Sequence, residues 1–293
     1  MGDSTSIEWT DHTFNPWWGC SRISTGCKNC YADDNARRWG HDLFHRNGDR
    51  RMMSEQYWRK PRTWNREAER TGVPLRVFTA SMADVFEDHP RVTAARERLW
   101  HLIEETPWLR WQLLTKRPEN IATMAPWGET WPDHVWIGTT AEDQRCADER
   151  IPHLLRINAL RFVSCEPLVE QINLEPYLGN RPDTDHRGAR INWVIAGGES
   201  GPKARPMNPA WARTLRGQCL QAGSAFFFKQ WGTWAPSGRI AIGGNRPGIM
   251  LVGDPVDNLG HRTEMIRLGK KKAGRLLDGQ LHDAVPSLSP AAP

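Results

Sequence analysis

The sequence predicts an α/β protein: a partial parallel (β/α)6-type TIM-like barrel carrying an amino-terminal three-cysteine cluster loop. Three observations lead there. From residue 75 onward, short apolar, β-prone runs alternate with stretches of helical period. The runs are apolar on both faces, as strands covered by helices on one side and by a core on the other must be. Each run also passes at its C-terminal end into polar residues, which in a parallel barrel converge on one rim.

Leu75–Ala80 is the first such run, followed by Val92, Ala95, Leu99, Leu102 and Ile103 on one stripe of a helix. Trp111–Thr115 comes next, with Pro118 placed where a helix could start. Val135–Thr139 precedes a helical Gln144–Ile157, and Leu160–Ser164 and Trp193–Ala196 are the fourth and fifth runs. Asn208-Pro209 then caps a helix with Trp211, Leu215 and Cys219 on one face, and Ala225–Lys229 is the sixth run. Upstream, Ile7–Thr10 reads as a short strand, Tyr31–Phe44 as a helix weakened by Gly40, and Met52–Arg70 as a helix interrupted by Pro61. A strand near the cysteines brings the total to six or seven. One domain over residues 1–293 is expected, with a core of about 7–235 and a carboxy-terminal extension, 236–293.

A chain of 293 residues, 25% charged and 39% hydrophobic, has ample length for a large core. No apolar run approaches the roughly 20 residues of a membrane span, and Met-Gly-Asp-Ser-Thr-Ser has neither the basic nor the apolar part of a leader. A cytoplasmic protein with no membrane partner is therefore expected, its thiols reduced.

Three of the six cysteines fall within eleven residues, Cys20-Ser-Arg-Ile-Ser-Thr-Gly-Cys27-Lys-Asn-Cys30. The C-x2-C pair can reach one metal centre, and the loop behind Cys20, flanked by Gly19 and Gly26, lets the third thiol fold back. Three thiolates suit a [4Fe-4S] cluster with one open iron better than a closed zinc site, which takes four ligands. Zinc completed by His12, His41 or His45, or three buried apolar thiols, are the competing readings.

The net charge is +5, and 16 tryptophans contrast with 3 tyrosines. Trp39 beside Arg37 and Arg38, Trp58 before Arg59 and Lys60, and Trp64 before Arg66 combine stacking surfaces with cations, as nucleic-acid contacts do. The alternative is that these indoles pack in the core. Arg262, Arg267, Lys270, Lys271, Lys272 and Arg275 form a basic strip that suits phosphate, against Glu264.

At the strand ends stand Ser81-Met-Ala-Asp84, Thr115-Lys116-Arg117, Thr139-Thr140-Ala-Glu142-Asp143, Ser164-Cys165-Glu166-Pro167, Gly197-Gly198-Glu199-Ser200 and Lys229-Gln230-Trp231. Together with the cysteine loop, this pattern resembles the radical S-adenosylmethionine (SAM) superfamily. Ile7-Glu-Trp-Thr-Asp, Asn15-Pro-Trp-Trp-Gly-Cys20, Gly197-Gly-Glu-Ser-Gly201-Pro-Lys-Ala-Arg205-Pro, Phe227-Phe-Lys-Gln-Trp-Gly232 and Lys270-Lys-Lys-Ala-Gly-Arg275-Leu-Leu-Asp-Gly279 resemble, more closely, a phage-associated radical-SAM-like family distantly similar to spore photoproduct lyase. The resemblance runs from about Ile7 to Asp283. Two departures stand out: the cysteines are spaced C-x6-C-x2-C where most of the superfamily has C-x3-C-x2-C, and Asn29 stands before the last cysteine where the family has an aromatic residue, Tyr31 following instead.

The resemblance implies that Cys20, Cys27 and Cys30 hold a [4Fe-4S] cluster whose open iron binds SAM. Reductive cleavage then gives a 5′-deoxyadenosyl radical that takes a hydrogen from a nucleic-acid base or lesion, DNA foremost, with a reductant such as flavodoxin or ferredoxin. Asp84 and Glu199 would bind the SAM ammonium, Lys116 or Arg117 its carboxylate, and Tyr31 its adenine. Gly197 and Gly198 would let backbone approach the ligand, and Glu166 would hold a polar group. Cys165 would return a hydrogen atom as a lyase requires, or is a buried small apolar residue. A non-catalytic iron–sulfur or zinc protein that binds nucleic acid, in a setting such as phage defence, is the alternative.

Overall fold

The computed structural model describes residue 5, residues 7–179 and residues 189–286. In chain order the strands are β1 His12–Thr13, β2 Trp17–Trp18, β3 Arg51–Met52, β4 Leu75–Thr79, β5 Leu109–Thr115 and β6 Val135–Thr140. They continue as β7 Leu160–Cys165, β8 Trp193–Gly197, β9 Ala225–Gln230, β10 Trp234–Ala241, β11 Ile249–Val252 and β12 Arg262–Arg267. β1 and β4 to β9 form one parallel sheet in sequential order. It curls into a half-barrel.

All six expected runs are strands, and helices Thr93–Glu104, Gln144–Leu155 and Pro209–Ala222 follow three of them. The last is capped as expected, the Asn208 side chain accepting from Ala210 N at 3.0 Å. After β5 there are only a 3-10 turn, Pro118–Asn120, and the single helical turn Ile121–Met124.

Side chains alternate across the sheet. Phe78, Trp136, Phe162, Trp193 and Phe227 point to the concave face, where Trp9 packs among them. Val77, Trp111, Ile137, Val163, Val194 and Phe228 point outward against Leu99, Ile103, Leu154 and Leu215 of the helices. The long, two-sided burial is what the continuous apolar runs anticipated.

Three local expectations are corrected. Ile7–Thr10 is a turn, with Thr10 N donating to Ile7 O at 3.3 Å, because Trp9 is drawn beneath the concave face. The first ladder residues are instead His12 and Thr13, opposite Val77 and Phe78. The Tyr31 helix ends at Arg38, ahead of Gly40 at φ 76°. The Met52–Arg70 stretch divides into β3 and helices Glu55–Trp58 and Lys60–Thr71, with Pro61 in the first turn where its missing N–H costs nothing.

Residues after β9 are more than a basic strip. β10, β12 and β11 make an antiparallel sheet, and the chain then returns to the half-barrel. There Phe228 N donates to His282 O and Trp193 Nε1 to Ala284 O, both at 2.9 Å, covering the β9 side of the concave core. No helix among the described residues is long and apolar enough to cross a membrane.

Candidate functional site

A cavity of about 690 Å³ opens at the C-terminal ends of the strands. Its floor comes from concave-facing positions: Phe78, Leu114, Thr140, Ser164 and Lys229. Cys20, Cys27 and Cys30 line the same cavity from the amino-terminal loop.

Three groups of buried side chains fasten that loop to the rim. Glu142, with no exposed surface, accepts from Gly26 N at 3.2 Å and from the Ser24 hydroxyl, while Arg150 and Lys116 balance its charge at 2.8 and 3.3 Å. A Cβ on residue 26 would stand 2.8 Å from Glu142 Oε1, so glycine permits this approach. Asp143 accepts from the Thr25 hydroxyl at 2.8 Å. Beyond Cys20, Ser21 N donates to Glu87 at 2.6 Å and Ser21 O accepts from Arg117 at 2.8 Å. Arg50 completes this group through Glu87 at 2.8 and 2.9 Å. Glu199 holds the third point, accepting from Asn29 Nδ2 at 3.1 Å and from Arg205 at 2.7–3.0 Å.

These neighbours set the thiols apart electrically. Burial opposes ionisation of Cys27, but the Lys116 ammonium and hydrogen bonds at Ile23 and Ser24 bring it below the ordinary thiol value. Cys20 is pushed well up by burial and by Asp84, and Cys30 by burial. Burial likewise opposes charge on Glu142, yet Lys116, Arg150 and Ser24 hold its carboxyl down at about 2.

Among the described residues no group of three or more His, Cys, Asp or Glu side chains is placed to hold a metal ion. His12, offered for zinc, stacks on Trp64 at 4.2 Å between ring centres. The donor set on the cavity wall consists of three sulfurs spread along one loop. In donor chemistry three thiols match a cluster with one open iron, whereas a closed zinc site takes four ligands.

Lys116, Glu166, Gly198 and Tyr31 all line the cavity, Tyr31 donating its hydroxyl to Ser81 O at 2.8 Å. Asp84 and Glu199 line it too, with their carboxylates engaged by donors of the protein. Asp84 accepts from Phe86 N, the Thr115 hydroxyl, Lys116 N and Arg117 at 2.6–3.1 Å. Arg117 is occupied by Asp84 and Ser21 rather than free for a ligand carboxylate. Gly197 makes room for Glu166, whose Oε1 would lie 2.6 Å from a Cβ there, and Gly198 for the Trp231 carbonyl at 2.1 Å. The two glycines thus serve contacts within the chain.

Cys165 takes the buried place that its packing reading allows. It has no exposed surface and lies on the outward parity of β7 with Val163, in the layer shared with Cys219. Its neighbour Ser164 takes the cavity position. The indole expectation changes as well: Trp58 and Trp64 are core residues, whereas Trp39 is 74% exposed.

Sequence reasoning passed over Glu142, Glu87, Arg50, Lys229 and Gln230 as functional side chains. Lys229 pairs with Glu166 at 3.1 Å on the cavity floor, and Gln230 donates to the Ser200 hydroxyl at 3.0 Å while its buried Oε1 has no partner among the described residues. Their position at strand ends was the available signal.

Fold and site together define a half-barrel α/β protein with a thiol-bearing cavity at the C-terminal mouth of its parallel strands. The chain belongs to the family described as "Protein of unknown function (DUF5131)", whose model matches residues 4–286. No curated protein and no solved structure matches it.

Proposed function

We propose that the protein is a [4Fe-4S]-dependent enzyme of the radical SAM type acting on a nucleic-acid base or lesion. One observation carries the reading: three thiols from one loop and the C-terminal ends of the parallel strands line a single cavity. Parallel barrels place their chemistry at this face. Cys20, Cys27 and Cys30 would hold the cluster, which with SAM supplies one-electron reductive cleavage and hydrogen abstraction.

The remaining work falls to the chain's own groups. Glu142, Glu87 and Glu199 keep the loop against the rim, so the thiols meet a fixed wall. Lys116, at the end of β5, sets a positive charge beside Cys27 and favours its thiolate. Glu166 and Lys229 present an acceptor and a donor from the floor, and Tyr31 offers a ring face at the mouth. The apolar concave core below restricts water.

The test is anaerobic purification with iron and sulfide analysis, followed by dithionite and SAM with assay for 5′-deoxyadenosine. Iron retained by the wild type, lost in Cys27→Ala, and 5′-deoxyadenosine formed are the expected results. Oxygen-protected protein without iron overturns the reading. A cluster that leaves SAM intact replaces the enzyme with the non-catalytic iron–sulfur binding protein.

A further inference from the structure

Five lysines from three segments that are far apart in sequence meet on one side of the cavity mouth. Lys28 lies inside the cysteine loop, and the neighbouring Asn29 donates to the Lys203 carbonyl at 3.0 Å, joining loop and β8 end. Arg267 reaches the adjoining Pro202 carbonyl at 2.5 Å with its guanidinium over the Trp234 ring. Thr233 then links this segment to the start of the lysine triplet, its hydroxyl accepting from Gly201 N at 3.0 Å and its carbonyl from Gly269 N at 2.9 Å. Lys270 lines the cavity, and Lys271 and Lys272 follow it as exposed residues of the short helix Lys270–Ala273.

Lys28, Lys203, Lys270, Lys271 and Lys272 are all exposed, and none is ion-paired among the described residues. Most rim acids are already neutralised: Glu199 by Arg205, Glu142 by Lys116 and Arg150, and Asp84 by Arg117. Asp34 is an acid beside this strip, its carboxylate 3.9 Å from where a Cβ on Gly201 would stand. Cations in a row repel one another, and an anion with regularly spaced charges lying along them relieves that repulsion. The rest of the expected basic strip is placed elsewhere. Arg275 pairs with Asp283 and lies over Phe227, and Arg262 is at the opposite end of β12 from Arg267.

We propose that this rim is a phosphate track for single-stranded nucleic acid, laying the strand across the mouth so that one nucleotide enters the cavity. The choice of a single strand rests on the functional reading above, because a base inside a duplex cannot reach a floor of Glu166, Lys229 and Gln230. Gln230 Oε1, a buried acceptor without a partner among the described residues, suits a base donor.

Binding is measured without SAM or reductant, by anisotropy of labelled single-stranded DNA, single-stranded RNA and duplex DNA across a salt series. Lys203→Gln/Lys271→Gln is compared with Arg156→Gln/Arg239→Gln, an equal charge loss at exposed cations off the rim. Each single-strand phosphate contact contributes a log–log slope of about −0.7, so the rim pair flattens it by about 1.4 and weakens binding roughly tenfold at low salt. The off-rim pair changes affinity less than about twofold. Whichever of DNA and RNA binds tighter identifies the strand. Equal losses from both pairs, no loss from the rim pair, or a duplex bound more tightly than either single strand overturns the track. Cys27→Ala retains the track, so a failed cluster and a failed track give separate results.

Discussion

Replacing Glu142 with glutamine removes one negative charge from a site where two cations and a loop depend on it. The wild-type carboxylate faces Arg150 at 2.8 Å and Lys116 at 3.3 Å and has no exposed surface. Its carboxyl falls from an ordinary 4.5 to about 2 in the folded chain. At roughly 1.4 kcal/mol per pH unit, that difference corresponds to about 3 kcal/mol of stability. Breaking a buried ion pair from one side costs about 3–5 kcal/mol, so the two routes agree. Because the folded value is depressed, the contribution is complete above about pH 4.5 and is lost as pH falls toward about 2. Urea unfolding of wild type and Glu142→Gln, followed by tryptophan fluorescence, should show a gap of about 3 kcal/mol at neutral pH that narrows below about pH 4.5. A gap under about 1 kcal/mol, or one that persists unchanged into acid, refutes this account of how the loop is held.

Two further outcomes test the sheet. Cys165→Ala should leave iron content and any 5′-deoxyadenosine formation intact, because the thiol faces the helix layer, and should cost only about 1 kcal/mol in urea; loss of turnover with normal folding would return Cys165 to the chemistry. Gly138→Ala places a Cβ 2.5 Å from the Phe162 ring on the concave face, and overpacking there should destabilise by about 1–3 kcal/mol, read as a lower melting temperature.

The strands were legible because their signal is local. A run such as Val135–Ile137 is apolar at successive positions, and burial on both faces follows from that. The cysteine spacing marked a loop that lines the cavity, and polar residues after each run marked the rim. Ile7–Thr10 had the same β-prone look, yet the concave core needed Trp9 more than the sheet needed another strand. Trp58 and Trp64 misled in the opposite way: adjacent cations in sequence say nothing about which side of a helix an indole covers.

What the chain's own order of residues decided is the alternation of strand and helix, the parallel sheet, and a loop with three closely spaced thiols. Tertiary structure alone decided which polar residues remain for a ligand. Ser24 and Glu142 meet across 118 positions, and Asn29 and Glu199 across 170, distances no local pattern can encode. A step of one residue along β7 puts Ser164 in the cavity and Cys165 among the helices, because successive side chains leave a strand on opposite faces.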